Sequence, residues 1–103
     1  MPEKNEGAAQ APQDSDKGAP VVGEPITLKH SYKVHGVEFA EVSFKRRPKA
    51  KDTIEAHNLA STDAERELVL IAKVLGMKPD ELQEMDLADY NTVLREFQKA
   101  FLS

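Results

Sequence analysis

The chain is predicted to be an α+β domain: a β-hairpin packed on a small bundle of three to four α-helices, preceded by a disordered tail. Three observations carry that expectation. Residues Ile26 to Val34 alternate apolar and polar, the period of a half-buried strand. Residues Glu65 to Gly76 crowd six large aliphatics into eight positions between a helix-start and a helix-stop signal. Residues Leu87 to Phe101 place apolar side chains at spacings of three and four, a stripe along one helix face.

Length and composition bound the rest. With 103 residues there is room for one domain and a modest core. The absence of cysteine excludes a disulfide framework and any thiolate metal site, and suits a cytosolic protein. No apolar run approaches the roughly 20 residues that span a bilayer. The start, MPEKNEGAAQAP, has no apolar stretch of the kind a secretory signal needs. The net charge of −4 is uneven, because seven Lys/Arg against Glu38 and Glu41 leave residues 25–51 at +5. An acidic overall balance argues against nucleic acid as the main partner.

Taken in order, residues 1–24 hold only Val21 and Val22 as large aliphatics after Met1. Such a segment cannot bury enough surface to offset its ordering entropy, so it reads as a disordered tail before a domain at 25–103. The hairpin is expected over 26–45. Ile26, Leu28, His30, Tyr32 and Val34 form one face of its first strand, and Gly36 marks a tight turn. On the return strand the apolar phase slips from Val37 and Phe39 to Val42 and Phe44, which implies a bulge near Ala40. A lone hairpin is marginal in water and needs a floor, which the central helix offers.

Pro48 opens a helix over about 49–59, with Ala50, Ile54, His57 and Leu59 as inward candidates. The next, 62–75, begins with Thr62 and Glu65 spaced as a capping box and stops at Gly76, a residue suited to the left-handed turn. Its circumference is apolar almost all round, so it is the central, buried helix. Pro79, Asp80 and Glu81 start a short helix over 79–85, with Leu82 and Met85 on its inner side. Asp86 caps the last helix, 87–102, and Asp89 sits in its favourable first turn. The stripe along it is Leu87, Tyr90, Leu94, Phe97 and Phe101.

Candidate chemistry is sparse. His30, His35 and His57 share no metal-ligand spacing, and no H-E-x-x-H pattern accompanies them. The acids at Asp80, Glu81, Glu84, Asp86 and Asp89 lack the alternation of a calcium loop, and two helix starts account for most of them. There is no G-x-S-x-G and no Gly-rich phosphate loop, so neither catalysis nor a cofactor is expected. Two surfaces remain. Lys45, Arg46, Arg47, Lys49 and Lys51 form a basic cluster that is either a solvated loop or a contact for an acidic partner, with nucleic acid a third choice since no aromatic interleaves the cations. Tyr90, Leu94, Phe97, Phe101 and Leu102 either complete the core or leave a groove for a partner helix. A core this small can also call for self-association.

Four landmarks then occur in order: Val34-His35-Gly36-Val37; Phe44-Lys45-Arg46-Arg47-Pro48 followed by Asp52; Asp63-Ala64-Glu65-Arg66-Glu67; and Met85-Asp86-Leu87-Ala88-Asp89-Tyr90 leading to Phe97 and Phe101-Leu102. Over about residues 26–103 the chain resembles the phage tail assembly chaperone family of contractile-tailed, Mu-like phages and prophages. The resemblance implies a non-enzymatic protein acting in the host cytoplasm and absent from the finished virion. It also implies a tape measure protein as partner, kept soluble while tail tube subunits polymerise around it, and a frameshifted longer form of the product. It supplies no agreed binding residues, so both surfaces rest on the residues alone. The alternatives are a small nucleic-acid-binding regulator using Lys45–Lys51, or a structural tail component retained in the particle.

Overall fold

A computed structural model describes residues 22–102. The tail expected over residues 1–24 therefore lies outside the described residues, apart from Val22, Gly23 and Glu24. Two strands, β1 (Pro25–Val34) and β2 (Val37–Ser43), are followed by α1 (Ala50–Leu59), α2 (Asp63–Leu75), α3 (Pro79–Leu82) and α4 (Leu87–Phe101). This is the α+β architecture that the sequence leads one to expect, with the short helix ending at Leu82 instead of residue 85.

The hairpin closes through His35 and Gly36, both with positive φ (51° and 80°), the geometry of the turn whose twist matches paired strands. From that end the pairing runs Val34 to Val37, Lys33 to Glu38 and Tyr32 to Phe39. It resumes as Thr27 to Glu41, Ile26 to Val42 and Pro25 to Ser43. Leu28 to Ser31 thus stand opposite Ala40 alone. The irregularity falls at the expected height, but the extra residues are on β1, not on the return strand. Sequence alternation cannot assign them, because β1 keeps its period of two straight through the bulge.

Local chemistry sets the helix ends. The Thr62 hydroxyl accepts the Glu65 N–H at 3.2 Å, and the Glu65 carboxylate accepts the Ser61 N–H at 3.4 Å. Gly76 closes α2 in the left-handed conformation at φ 73°. At the N-terminus of α1, Asp52 accepts the Lys49 N–H at 2.7 Å. The Asp86 carboxylate accepts the Ala88 N–H at 3.0 Å and so starts α4.

The core gathers Leu28, Val42 and Phe44 from the hairpin side, Ile71, Ala72, Val74 and Leu75 from α2, Leu82 and Met85, and Val93 and Phe97 from α4. A fully buried aliphatic or Phe side chain contributes about 1.5–3 kcal/mol relative to its exposed state, so α2 with its four core residues is the principal organiser. Phe44, just past β2, is wholly buried and meets Phe97 and Phe101 edge-to-face, with centroids 6.0 and 5.2 Å apart. The next residue ties the chain to α2 through Lys45 N–H to the Val74 carbonyl at 2.7 Å.

Two expectations need correction. The inward residues of α1 are Asp52 and Ala56, whereas Ile54 and Leu59 are 62% and 69% exposed. The buried line of α4 is Asp89, Val93 and Phe97, spaced by four, with Tyr90, Leu94 and Phe101 half-buried beside it and Leu87 exposed. A hydrophobicity pattern rotates the helix toward its largest side chains. The structure rotates it toward Asp89, for a reason that involves the hairpin.

Candidate partner-binding face

Beyond its β2 pairing, β1 is held mainly by α3 and α4. The Asp89 carboxylate, 4% exposed, accepts the N–H groups of Lys29 and His30 at 3.0 and 2.9 Å. These are amides of the bulge, which the strand ladder leaves unpaired, and a buried carboxylate satisfies both. The Lys29 N–H above all, then that of His30, holds the Asp89 carboxyl below the usual carboxylate range against the opposing effect of burial. Two residues beyond His30 on β1, the Tyr32 hydroxyl donates to the Glu81 carbonyl at 3.0 Å. Burial first, then Glu81 and Glu84, push that phenol up to about 12.

The five cations of the basic cluster divide sharply. Arg46 is a structural residue. Its guanidinium donates to both oxygens of buried Asp52, at 2.7 and 2.9 Å, and also to the Arg47 carbonyl at 3.1 Å. That fork, followed by the Lys49 N–H, holds the Asp52 carboxyl far below its ordinary range. Lys45 lays its stem beside Gly76 and donates to the Ser43 hydroxyl at 2.9 Å. Arg47, Lys49 and Lys51 point outward. Lys49 and Lys51 form no ion pair with another described residue. Arg47 places its guanidinium 5.2 Å from the centre of the Phe101 ring, a cation–π contact that joins the basic cluster to the end of α4.

The apolar candidates divide as well. Phe97 is 2% exposed and belongs to the core, as a side chain wedged between Phe44 and Phe101 must. It also forms the floor of a groove of about 270 Å³ between α1, α2 and α4. Leu94 and Leu102 stand on the α4 wall, Ala56 on the α1 wall and Leu70 on the α2 wall, with Arg66 and Glu67 on the rim. Tyr90 lies off the groove, half-buried, and burial followed by Glu67 pushes its phenol up to about 12. The structure therefore brings together Leu94, Phe97 and Leu102, and places Phe101 beside them under Arg47.

Sequence reasoning missed Leu70 and Ala56. In a helix apolar on nearly every side, nothing marks Leu70 as the residue turned toward a groove. Ala56 is too small to register as a wall, yet it lines the groove.

The resolved shifts move tyrosines up and carboxylates down, away from the neutral range where a general acid or base works. Among the described residues no three His, Asp or Glu side chains are placed to hold a metal ion. Among them also, no helix is long and apolar enough to cross a membrane.

The described domain thus presents an apolar groove, with the Arg47–Phe101 contact near the end of α4. Residues 25–102 match the family of phage tail assembly chaperone proteins, E, or 41 or 14, and the chain belongs to that family. Its role is accordingly in the assembly of phage tails, with protein partners. No curated protein and no solved structure matches the chain.

Proposed function

We propose that the chain binds the tape measure protein, seating one of its amphipathic helices in the α1–α2–α4 groove, and so assists tail tube polymerisation without catalysing any reaction. The observation that carries this reading is the groove itself, with Leu70 and Leu94 half-buried, Leu102 65% exposed, and no other described segment lying over them. A long amphipathic helix aggregates through its apolar face until tube subunits enclose it, and a groove of this kind shields part of that face meanwhile. Release requires moderate affinity. The charged residues Arg95, Glu96 and Lys99 break up the apolar surface of α4 and limit the area on offer. On this reading the protein works in the host cytoplasm and is left out of the finished virion.

The basic edge supports a protein partner over nucleic acid. Arg46 is already taken by Asp52, which removes one of the five charges that a phosphate backbone would need. The test is co-purification of the tape measure protein with Leu102→Asp. That position is exposed, so folding should persist, and capture should fall by tenfold or more. Full capture by the folded variant would remove the groove from the reading. Mass spectrometry of purified particles checks the rest, since its detection there in stoichiometric amount would make it a structural component.

A further inference from the structure

We infer that the groove reads the direction of its occupant: a helix seated there lies with an acidic C-terminal end at Arg47 and Lys49, and so runs parallel to α4. This rests on the tape measure reading only for the class of occupant, an amphipathic helix.

The size of the groove comes first. From Leu94 to Leu102 the α4 wall spans about 12 Å, or two helical turns, which matches apolar side chains at i, i+3 or i+4, and i+7 of a partner. Its volume, about 270 Å³, lies just below the range that encloses a free small molecule, and suits the side chains of a helix laid along it.

The two ends of the groove differ in charge. Thr53 and His57, four apart on α1, both line it, and Lys49 extends the same row by one turn beyond Thr53. Across from them Leu102 ends the α4 wall, and its neighbour Phe101 lies under the Arg47 guanidinium. Neither cation lines the groove, but Lys49 precedes Thr53 by one turn and Arg47 covers the neighbour of Leu102, so both stand beyond the same end. Arg66 stands at the other end, donating to the Ala60 carbonyl at 3.1 Å and lying 3.6 Å from Asp63, and Glu67 is beside it. That end offers no surplus of positive charge.

A helix carries roughly half a positive charge at its N-terminus and half a negative charge at its C-terminus. Seated with its C-terminal turn at Arg47 and Lys49, it meets two cations with its own negative pole and with any Glu or Asp there. Turned round, it brings a positive pole to the same cations. The apolar contacts are nearly indifferent to direction, so the charged end decides.

The test uses the full chain and two synthetic peptides of about 20 residues, long enough to populate a helix. Both are capped at their ends and carry the same apolar stripe at i, i+3, i+4 and i+7. One has Glu in its last turn and Gln in its first, and the other has the reverse. By fluorescence anisotropy at low salt, the peptide with Glu in its last turn should bind about tenfold more tightly. That preference should shrink to within about twofold at high salt, or in Lys49→Glu with Arg47→Gln. A nitroxide on its last turn should broaden the amides of Lys49 to Thr53, and one on its first turn those of His57 to Ala60.

Equal affinities, or broadening at the opposite ends, would overturn the direction while leaving the groove occupied. Binding of neither peptide would remove the groove reading and the inference with it. A stable dimer that Leu102→Asp dissociates would assign the groove to a second copy and overturn both.

Discussion

Asp89 accepts the backbone N–H of His30 at 2.9 Å across 59 positions of sequence, and in doing so fixes where the hairpin sits on the helices. The same carboxylate takes the Lys29 N–H, so one side chain satisfies both donors that the β1 bulge exposes. The bulge and the acid belong together. A regular ladder would leave Asp89 buried without partners, and a bulge without Asp89 would leave two part-buried amides without an acceptor.

Asp89→Leu should therefore lower the thermal midpoint by on the order of 10 °C, since two part-buried donors lose their acceptor. Asp89→Asn, which keeps one acceptor oxygen, should lose less. Circular dichroism melts of the two variants check this, and unchanged midpoints would show that the bulge amides find water instead.

Acid should unfold the domain through Asp89 and Asp52. Both carboxyls titrate lower in the folded chain than in the unfolded one. Their contribution is then complete above the ordinary carboxylate range and is lost as pH falls through it toward the depressed folded values. Stability should stay flat from about pH 7 to 5 and fall steeply below about pH 4. Urea midpoints against pH measure it, and a double Asn variant should show a shallower fall from a lower plateau. A steepest loss between pH 6 and 7 would point to histidine instead.

Phe97 and Leu102, both in the expected binding stripe, should separate cleanly. Phe97→Ala should cost about 3–5 kcal/mol, as a truncated core aromatic does. Leu102→Asp should change stability by about 0.5 kcal/mol or less, as an exposed position does. Denaturant titration distinguishes them. If Leu102→Asp destabilises as strongly as Phe97→Ala, the C-terminal residue is core and the groove is closed in solution.

Native-state amide exchange should be slowest in Val69 to Leu75. This segment carries five of the buried residues, Val69, Ile71, Ala72, Val74 and Leu75, and its carbonyl at Val74 holds the chain leaving β2. Faster exchange there than in α4 would move the stable unit away from α2.

How much of this was legible in the chain follows from the range of each signal. The Thr62 and Gly76 caps, the turn at Gly36 and the Pro79 start are each decided within four residues, and all stand where the sequence puts them. Residues that act across the fold carry no such local signal. Asp89 does stand in the first turn of α4, but its bond to the hairpin is not readable along the chain; Arg46 reads as one member of a basic cluster, and Ile54 and Leu59 read as inward residues although they are exposed. Asp52 served only as a landmark beside Pro48, yet it is buried against Arg46. Lys73 turned out to pair with Glu55 and to link α1 to α2, which no spacing rule reports.

By itself, then, the sequence determined the α+β class, the order of elements, the family and the two stretches from which the proposed binding face is drawn. These depend on periodicity, caps and turn residues, which are properties of neighbours along the chain. Only the tertiary structure decided which members of each stretch are spent inside the fold and which remain at its surface. Burial and pairing are settled between residues far apart in sequence, as Asp89 with the bulge, Phe97 with Phe44 and Arg47 with Phe101 show, and the groove draws its lining from three helices that no local pattern brings together.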